Sequence, residues 1–160
     1  MTFDFEYKIK SLKEAIDFRN ENKDKTIVFT NGCFDLLHRG HISYLQEAKS
    51  LGDYLIVGLN SDESVRHLKG KTRPIVTEKD RAFMLASLCM VDAVVIFNEA
   101  TPIDLLSVLK PDLHIKGGDY VLESLPEYPT VTAYGGKIKI LSFIQGFSTS
   151  TLIQKMRSFQ

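Results

Sequence analysis

Residues 26–41 read TIVFTNGCFDLLHRGH, and residues 42–60 continue ISYLQEAKSLGDYLIVGLN. The run 26–30 is short, apolar and rich in β-branched residues, and Asn31-Gly32 bounds it, which is the pattern of a buried strand ending in a turn. Ile42, Leu45 and Ala48 then share one helical face. Gly52 stands where a helix C-terminus takes a left-handed residue. Residues 54–59, YLIVGL, read as a second strand, apolar on both faces as in a parallel sheet covered by helices. Strand, helix, strand is the unit to extend in both directions.

Upstream, Ser11 and Glu14 form a capping box ahead of Leu12, Ala15, Ile16 and Arg19, so residues 12–22 read as a helix, an accessory element within residues 1–25. Downstream, a helix over 61–68 leads into the Gly/Pro-containing basic loop KGKTRPI, and a longer helix runs from Thr77 to about Met90. Residues 93–97 make a third strand. Thr101 as N-cap and Pro102 at the first helical position precede Leu105, Leu106 and Leu109, and 113–116 is a fourth strand. Residues 120–135 fit no single element. Residues 137–142 alternate charged and apolar side chains as an outer strand does, and Ser148 seeds a last helix with Leu152, Ile153 and Met156 on its inner face. The order predicts an α/β fold: an open parallel five-stranded sheet with helices on both faces, one domain over residues 1–160.

The composition agrees. A chain of 160 residues and 18.1 kDa is of single-domain size, and area scaling lets such a chain bury about two-thirds of its surface. Hydrophobic residues at 44% and charged residues at 25% are globular values and exclude a disordered or collagen-like chain. Twenty Lys+Arg balance twenty Asp+Glu, so there is no basic excess of the kind that holds nucleic acid through a global field. Cys33 and Cys89 form no CxxC pair, which suits a reducing compartment. The opening MTFDFEYKIK lacks the basic and apolar regions of a signal peptide, and the longest apolar runs are too short to span a bilayer. The expectation is a soluble cytoplasmic protein with no membrane or nucleic-acid partner.

In such a sheet ligands bind beyond the carboxyl ends of the strands, where strand order reverses. Polar clusters follow four of the predicted strands: residues 31–41, 60–62, 116–119 and 148–150. His38 and His41, three apart at a helix start, project to one side beside exposed N–H groups, a pairing suited to a phosphoryl group that gains charge during transfer. Either histidine alone would read as structural. Between residues 66 and 76 stand Arg66, Lys69, Lys71 and Arg73 and no acid, so a loop there can close over phosphates; Arg66 alone reads as solvated surface charge. Lys116-Gly117-Gly118-Asp119 puts a cation beside two residues that allow close approach. Ser148-Thr149-Ser150 offers a helix cap. His67 and His114 join no cluster and read as structural. Cys33 reads as packing. Cys33, Asp35, His38 and His41 are also metal-ligating types, but their spacing suits a phosphate site better than a four-donor zinc site.

The set Gly32, Phe34, Asp35, His38, Gly40 and His41 resembles the GxFDxxHxGH signature of the nucleotidyltransferase superfamily, whose fold is Rossmann-like. The resemblance covers nearly the whole chain and is strongest to the D-glycero-β-D-manno-heptose 1-phosphate adenylyltransferases, through FTNGCFDLLHRGH, LIVGLNSD, LKGKTRP, IKGGDY and GFSTS. Glycerol-3-phosphate cytidylyltransferases are similar in the first and last of these. They usually carry Arg-Tyr-Val-Asp where this chain has Cys89-Met90-Val91-Asp92, and Ser148-Thr149-Ser150 departs mildly from the Ser-Thr-Thr of the heptose enzymes while retaining the hydroxyl.

The resemblance implies catalytic roles for His38, His41 and Lys71. It implies nucleotide contacts from Thr30, Asn31, Gly32, Phe34, His38, Gly40, His41, Lys116, Gly117, Asp119, Ser148, Thr149 and Ser150. Asp35, Asn60, Asp62, Lys69, Lys71, Arg73 and Arg81 are implied to contact the acceptor substrate. The implied reaction joins ATP, with Mg²⁺, to a sugar 1-phosphate, giving ADP-heptose and pyrophosphate. No protein ligand is assigned to the metal. An anionic sugar-phosphate oxygen needs no general base, which agrees with the lack of a Ser/His/Asp arrangement. Similar enzymes are often homodimers, though no stretch marks an interface, and often fused to a sugar kinase; here a separate kinase is expected to supply the acceptor. Two other readings stay open: CMP transfer to a glycerol or polyol phosphate, and a nucleotide-sensing module that binds ATP without releasing pyrophosphate.

Overall fold

Five apolar or alternating runs pair side by side as strands: β1 (Ile27–Gly32), β2 (Tyr54–Asn60), β3 (Ala93–Phe97), β4 (Leu113–Gly117) and β5 (Lys137–Leu141). In the computed structural model, which describes residues 4–142, 146 and 148–158, they form one sheet in the order β3-β2-β1-β4-β5, and every pairing is parallel. The chain builds outward from β1 to β3 on one side, then returns to add β4 and β5 on the other. The switch point therefore lies between β1 and β4.

Seven helices flank the strands among the described residues: α1 (Leu12–Glu21), α2 (Arg39–Lys49), α3 (Asp62–Lys69), α4 (Glu78–Ala86), α5 (Ile103–Leu109), α6 (Tyr128–Ala133) and α7 (Thr149–Arg157). Strand alternation sends side chains to two separate cores. Val28, Val57, Val94 and Ile115 pack with Leu45 and Ala48 of α2 and with Ala82, Leu85 and Ala86 of α4. Ile27, Phe29, Ile56 and Val95 pack with Ala15 of α1, the leucines of α5 and Val131 of α6. Helices thus cover both faces, and the inner strands are apolar on both sides for that reason.

A repeated device fixes the lower edge, where strands begin. Asp53, Asp92 and Asp112 each stand directly before a strand and accept a hydrogen bond from a neighbouring strand's first backbone N–H groups: Thr26 N–H to Asp53, Leu55 N–H to Asp92 and Ile27 N–H to Asp112, at 2.8, 2.7 and 2.8 Å. Lys49 also binds Asp92 at 2.7 Å, and Arg19 binds Asp112 at 3.1 Å.

Four local expectations are corrected. Gly52 does not adopt a left-handed conformation; it is glycine because a Cβ would lie 2.6 Å from Val28 Cγ2 and 2.8 Å from the Thr26 carbonyl oxygen. Thr101 does not cap α5: Pro102 occupies the N-cap position, without a side-chain cap bond. The helix begun at Thr77 ends at Ala86, short of Met90. On α7, Leu152 and Ile153 are half-buried while Met156 is exposed, so the apolar stripe is narrower than its sequence implies. Residues 120–135 resolve into a 3-10 turn at Leu122–Ser124 and the short α6. Phe147, within the GFSTS stretch, lies outside the described residues.

His114 on β4 is fully buried, its ring 5.5 Å from that of Phe29. Burial, with Lys116 adding to it, pushes its imidazole down to about 4, against the weaker pull of Glu127 and the Phe29 backbone. In the unfolded chain the group protonates near 6.5, so between these values the unfolded state binds more protons and the folded state loses ground. Stability is expected to be full above pH 6.5 and to decline as pH falls towards 4. Urea denaturation midpoints measured at pH 7 and pH 5 should differ less for His114→Phe than for the unaltered protein; a residual decline remains, because His41 is held down to about 4 as well.

Candidate active site

The signature residues leave β1 through an unusual turn. Phe34 has a positive φ of 44°, a conformation that a bulky residue holds only when its surroundings impose it. Its ring is buried over Gly32, where a Cβ would come within 3.0 Å of Phe34 Cε2. The turn drops the Asp35 carboxylate inside the protein and brings His38 to the N-cap of α2.

His38 Nδ1 accepts the His41 N–H at 3.4 Å, which assigns the proton of the neutral ring to Nε2. The two imidazoles stack with centroids 3.8 Å apart and planes 19° from parallel. His41 also lies against Phe34, at 5.2 Å between centroids. Burial lowers the His38 pKa. Burial, then His38 and Lys69, bring His41 down to about 4 against the opposing Leu36 backbone. At neutral pH the pair is uncharged, so each ring has an N–H to donate and neither repels the other.

Asp35, 1% exposed, draws the basic loop to the signature turn. It accepts hydrogen bonds from Arg73 Nε at 2.6 Å, from the Ile75 N–H at 2.8 and 3.0 Å and from the Val76 N–H at 3.0 Å. Burial opposes its charge, but these donors outweigh that and hold the carboxyl below its ordinary value. Arg81, with no exposed surface, ties the same region from beneath. Its Nε donates to the Val76 carbonyl, Nη1 to the carbonyls of Cys33 and Asn60, and Nη2 to Asp62, at 2.6 to 2.9 Å.

The opposite wall comes from Lys116 and Gly117 at the end of β4, from Tyr120, and from the start of α7. Ser148 caps α7 by accepting the Thr151 N–H at 3.0 Å. The first-turn N–H groups of any helix lack partners within it, and here that turn lines a cavity of about 670 Å³. The cavity is bounded by the histidine pair on one side and this helix start on the other, with Lys69, Arg73 and Lys116 as its cations. It opens at the switch point of the sheet, where phosphate-bearing ligands sit in open α/β folds.

Residues 29–153 match the family described as cytidylyltransferase-like. The chain belongs to the cytidylyltransferase-like family. Among curated relatives of this family member, a bifunctional protein HldE of Helicobacter pylori strain G27 is 53% identical over 150 residues, 94% of this chain and 31% of that protein. The bifunctional protein HldE of Campylobacter jejuni subsp. jejuni serotype O:6 is 53% identical over 154 residues, 96% of this chain and 32% of that protein. The chain thus spans about a third of the length of these relatives. Among solved structures, the lipopolysaccharide core biosynthesis protein from Thermoplasma volcanium GSS1 is 32% identical, with a TM-score of 0.61 over 75% of this chain and 97% of that one. The pantoate-beta-alanine ligase from Francisella tularensis, 17% identical with a TM-score of 0.59 over 93% of this chain and 76% of that one, shares the fold.

In this cytidylyltransferase-like chain the cavity gathers Asn31, Gly32, Phe34, Asp35, His38, Gly40, His41, Lys69, Arg73, Lys116, Gly117, Ser148, Thr149 and Ser150 from the residues singled out by sequence. Others stand elsewhere. Thr30 is fully buried, its hydroxyl engaged by Tyr44 and the Ile115 carbonyl at 2.7 and 3.1 Å. Arg81 has its donors met inside the protein, so it supports the rim in place of the expected substrate contact. Asn60 is buried and binds Ser64 at 2.9 Å, while Asp62 pairs with Arg81. Lys71, expected to be catalytic, is exposed and lines a second depression with Arg66 and His67, outside the lining of this cavity. Asp119 is exposed outside the lining. Sequence reasoning missed Tyr44, Tyr120 and Cys33 as lining groups. Tyr44 continues the spacing of 38 and 41 by one more step of three, a signal that was available. The Cys33 thiol is held protonated, burial pushing its pKa up against nearby cations.

Asp35→Ala removes the acceptor for Arg73 Nε and for two loop N–H groups. The basic loop should loosen, with trypsin cutting faster after Lys69 and Lys71. Limited proteolysis followed by mass spectrometry reads this directly, and Asp35→Asn, which keeps one acceptor oxygen, should fall between the two.

Proposed function

We propose that this chain is an adenylyltransferase that moves AMP from ATP to D-glycero-β-D-manno-heptose 1-phosphate, releasing pyrophosphate and forming ADP-heptose for surface-glycan synthesis. The observation that carries this reading is the facing of two anion-binding elements across one cavity: the neutral histidine pair at the start of α2, and the start of α7, with three cations lining the same cavity. The FTNGCFDLLHRGH, LKGKTRP and IKGGDY stretches support the heptose acceptor, as does the identity to proteins named bifunctional protein HldE. The name of the Thermoplasma protein points to the same class of product.

The acceptor phosphate is an anion near neutral pH, so one of its oxygens attacks the α-phosphorus in line without a general base. The bond from the α-phosphorus to the bridging oxygen breaks, and pyrophosphate leaves with that electron pair. Negative charge spreads over the α-phosphoryl oxygens in the transition state. Imidazole N–H groups from His38 and His41 stabilise that charge at the cavity wall. Arg73, with Nε fixed on Asp35, presents its remaining N–H groups to a phosphate, and Lys69 adds a second cation. The first turn of α7 holds the pyrophosphate end.

Mg²⁺ belongs with ATP in this reading. Among the described residues the pocket lining does not form a protein-held metal site: its only carboxylate there, Asp35, is occupied by Arg73, Ile75 and Val76, and those residues contain no group of three metal-ligating side chains. The ion would be bound by triphosphate oxygens and water, and no step above is routed through it. The acceptor is the product of a sugar-kinase reaction.

His41→Ala should lower kcat by about 10²–10³-fold while leaving ATP affinity largely intact, read by pyrophosphate release and by calorimetric titration. Near-normal turnover in that variant would remove the proposed mechanism. Pyrophosphate release from each of four NTPs against several sugar 1-phosphates and glycerol 3-phosphate tests the substrate pair. ATP with a heptose 1-phosphate is the expected combination, and preference for CTP with glycerol 3-phosphate would overturn it.

A further inference from the structure

Lys116, on the wall of the cavity, is held from behind by an acid that none of the roles above uses. Its Nζ lies 2.6 Å from Oε1 of Glu127, and the two side chains are unequally enclosed, 20% exposed for Lys116 and 2% for Glu127. Glu127 stands at the N-cap of α6, yet its side chain makes no capping bond; the carboxylate engages β4 instead. Burial alone would raise its pKa, but the hydrogen bond and charge of Lys116, its own backbone N–H and nearby His114 bring it below the ordinary value. Glu127 is therefore a buried anion whose charge is supported chiefly by one lysine.

A buried ion pair is weak evidence for stability, because two desolvations offset the attraction. This pair also faces in one direction: its acid is sealed in the protein and its ammonium lies at the cavity. An ammonium has three N–H donors, and the bond to Glu127 takes one. A lysine left to itself would sample many rotamers, and most would carry Nζ away from the ligand.

We infer that Glu127 is a positioning residue for nucleotide binding, fixing Lys116 so that its remaining donors meet an anionic group of the nucleotide in the cavity. The inference rests on the nucleotide site proposed above. It extends that site to an enclosed residue outside the β1–α2 signature and outside the cavity lining.

The test is calorimetric titration of the full chain with ATP and Mg²⁺, which needs no acceptor. Glu127→Ala should weaken ATP affinity about tenfold, roughly 1.4 kcal/mol, and Glu127→Gln, which keeps an oxygen acceptor for Lys116, should recover most of it. Lys116→Ala should match Glu127→Ala, and the double variant should be no weaker than Lys116→Ala alone. The exposed Glu123→Gln is the control and should bind as the unaltered protein does. Thermal melts establish that each variant folds. Should Glu127→Ala fail to fold, Glu127→Asp decides, since moving the carboxylate back by one methylene should weaken ATP severalfold. Unchanged affinity in folded Glu127→Ala, or in Glu127→Asp where the alanine variant does not fold, would overturn the inference, as would losses that multiply in the double variant. Intact ATP binding without turnover of any acceptor overturns the transfer reaction while leaving this comparison valid; absence of ATP binding by the unaltered chain overturns both.

Discussion

A guanidinium withdrawn from water must have its N–H donors met by protein, or its burial becomes prohibitive. Arg81 meets that requirement by reaching the end of β1 at Cys33, the end of β2 at Asn60, the basic loop at Val76 and the start of α3 at Asp62. Cys33, the neighbours Asn60 and Asp62, and Val76 lie on three separate stretches of sequence that meet only when the sheet is assembled. The rim of the cavity is therefore conditional on the central strands, and the strands' upper ends are conditional on α4, which supplies the arginine. Asp35 repeats the logic with opposite sign, one buried carboxylate holding a cationic side chain and two backbone N–H groups of the same loop. Together they keep Arg73 beside the histidine pair without placing a rigid helix over the opening.

The histidine pair depends on this framework. Two stacked imidazoles 3.8 Å apart would repel if both were charged, and burial keeps them neutral. Neutral rings donate hydrogen bonds without attracting every passing anion as a fixed cation does. An anion that binds beside them makes protonation easier than it is in the free protein, so the electrostatic response of the site is set by the ligand.

The fold was legible where local patterns carried it. β3 and the start of α1 coincide with the expected spans, because β-branched runs and a capping box are written in adjacent residues. Gly52 misled because steric exclusion by Val28 and Thr26 leaves the same mark in sequence as a left-handed turn. Residues 120–135 were unreadable because α6 is a single short helix whose placement follows from packing Val131 against the sheet. In the site, the signature announced the histidines, while the burial of Arg81, Asn60 and Thr30 was hidden. A polar side chain reads alike whether it faces a ligand or a backbone carbonyl 2.6 Å away. Asp35 lay in the motif, but its partners are about forty residues downstream, and one-dimensional spacing carries no information about such a pairing.

The aspartates that open β2, β3 and β4 have a consequence for variation in this architecture. Each grips the first amides of an adjacent strand, so the register of β1, β2, β3 and β4 is pinned chemically at the edge remote from the cavity. A one-residue insertion beside Asp53, Asp92 or Asp112 would displace a carboxylate from the amide it serves and penalise the slipped pairing. The opposite edge carries no matching set of acid-to-strand bonds among the described residues, and its connections are loops and short helices. Segments of different length can be grafted there while the strands continue to pair as before, so ligand preference can diversify on a constant sheet.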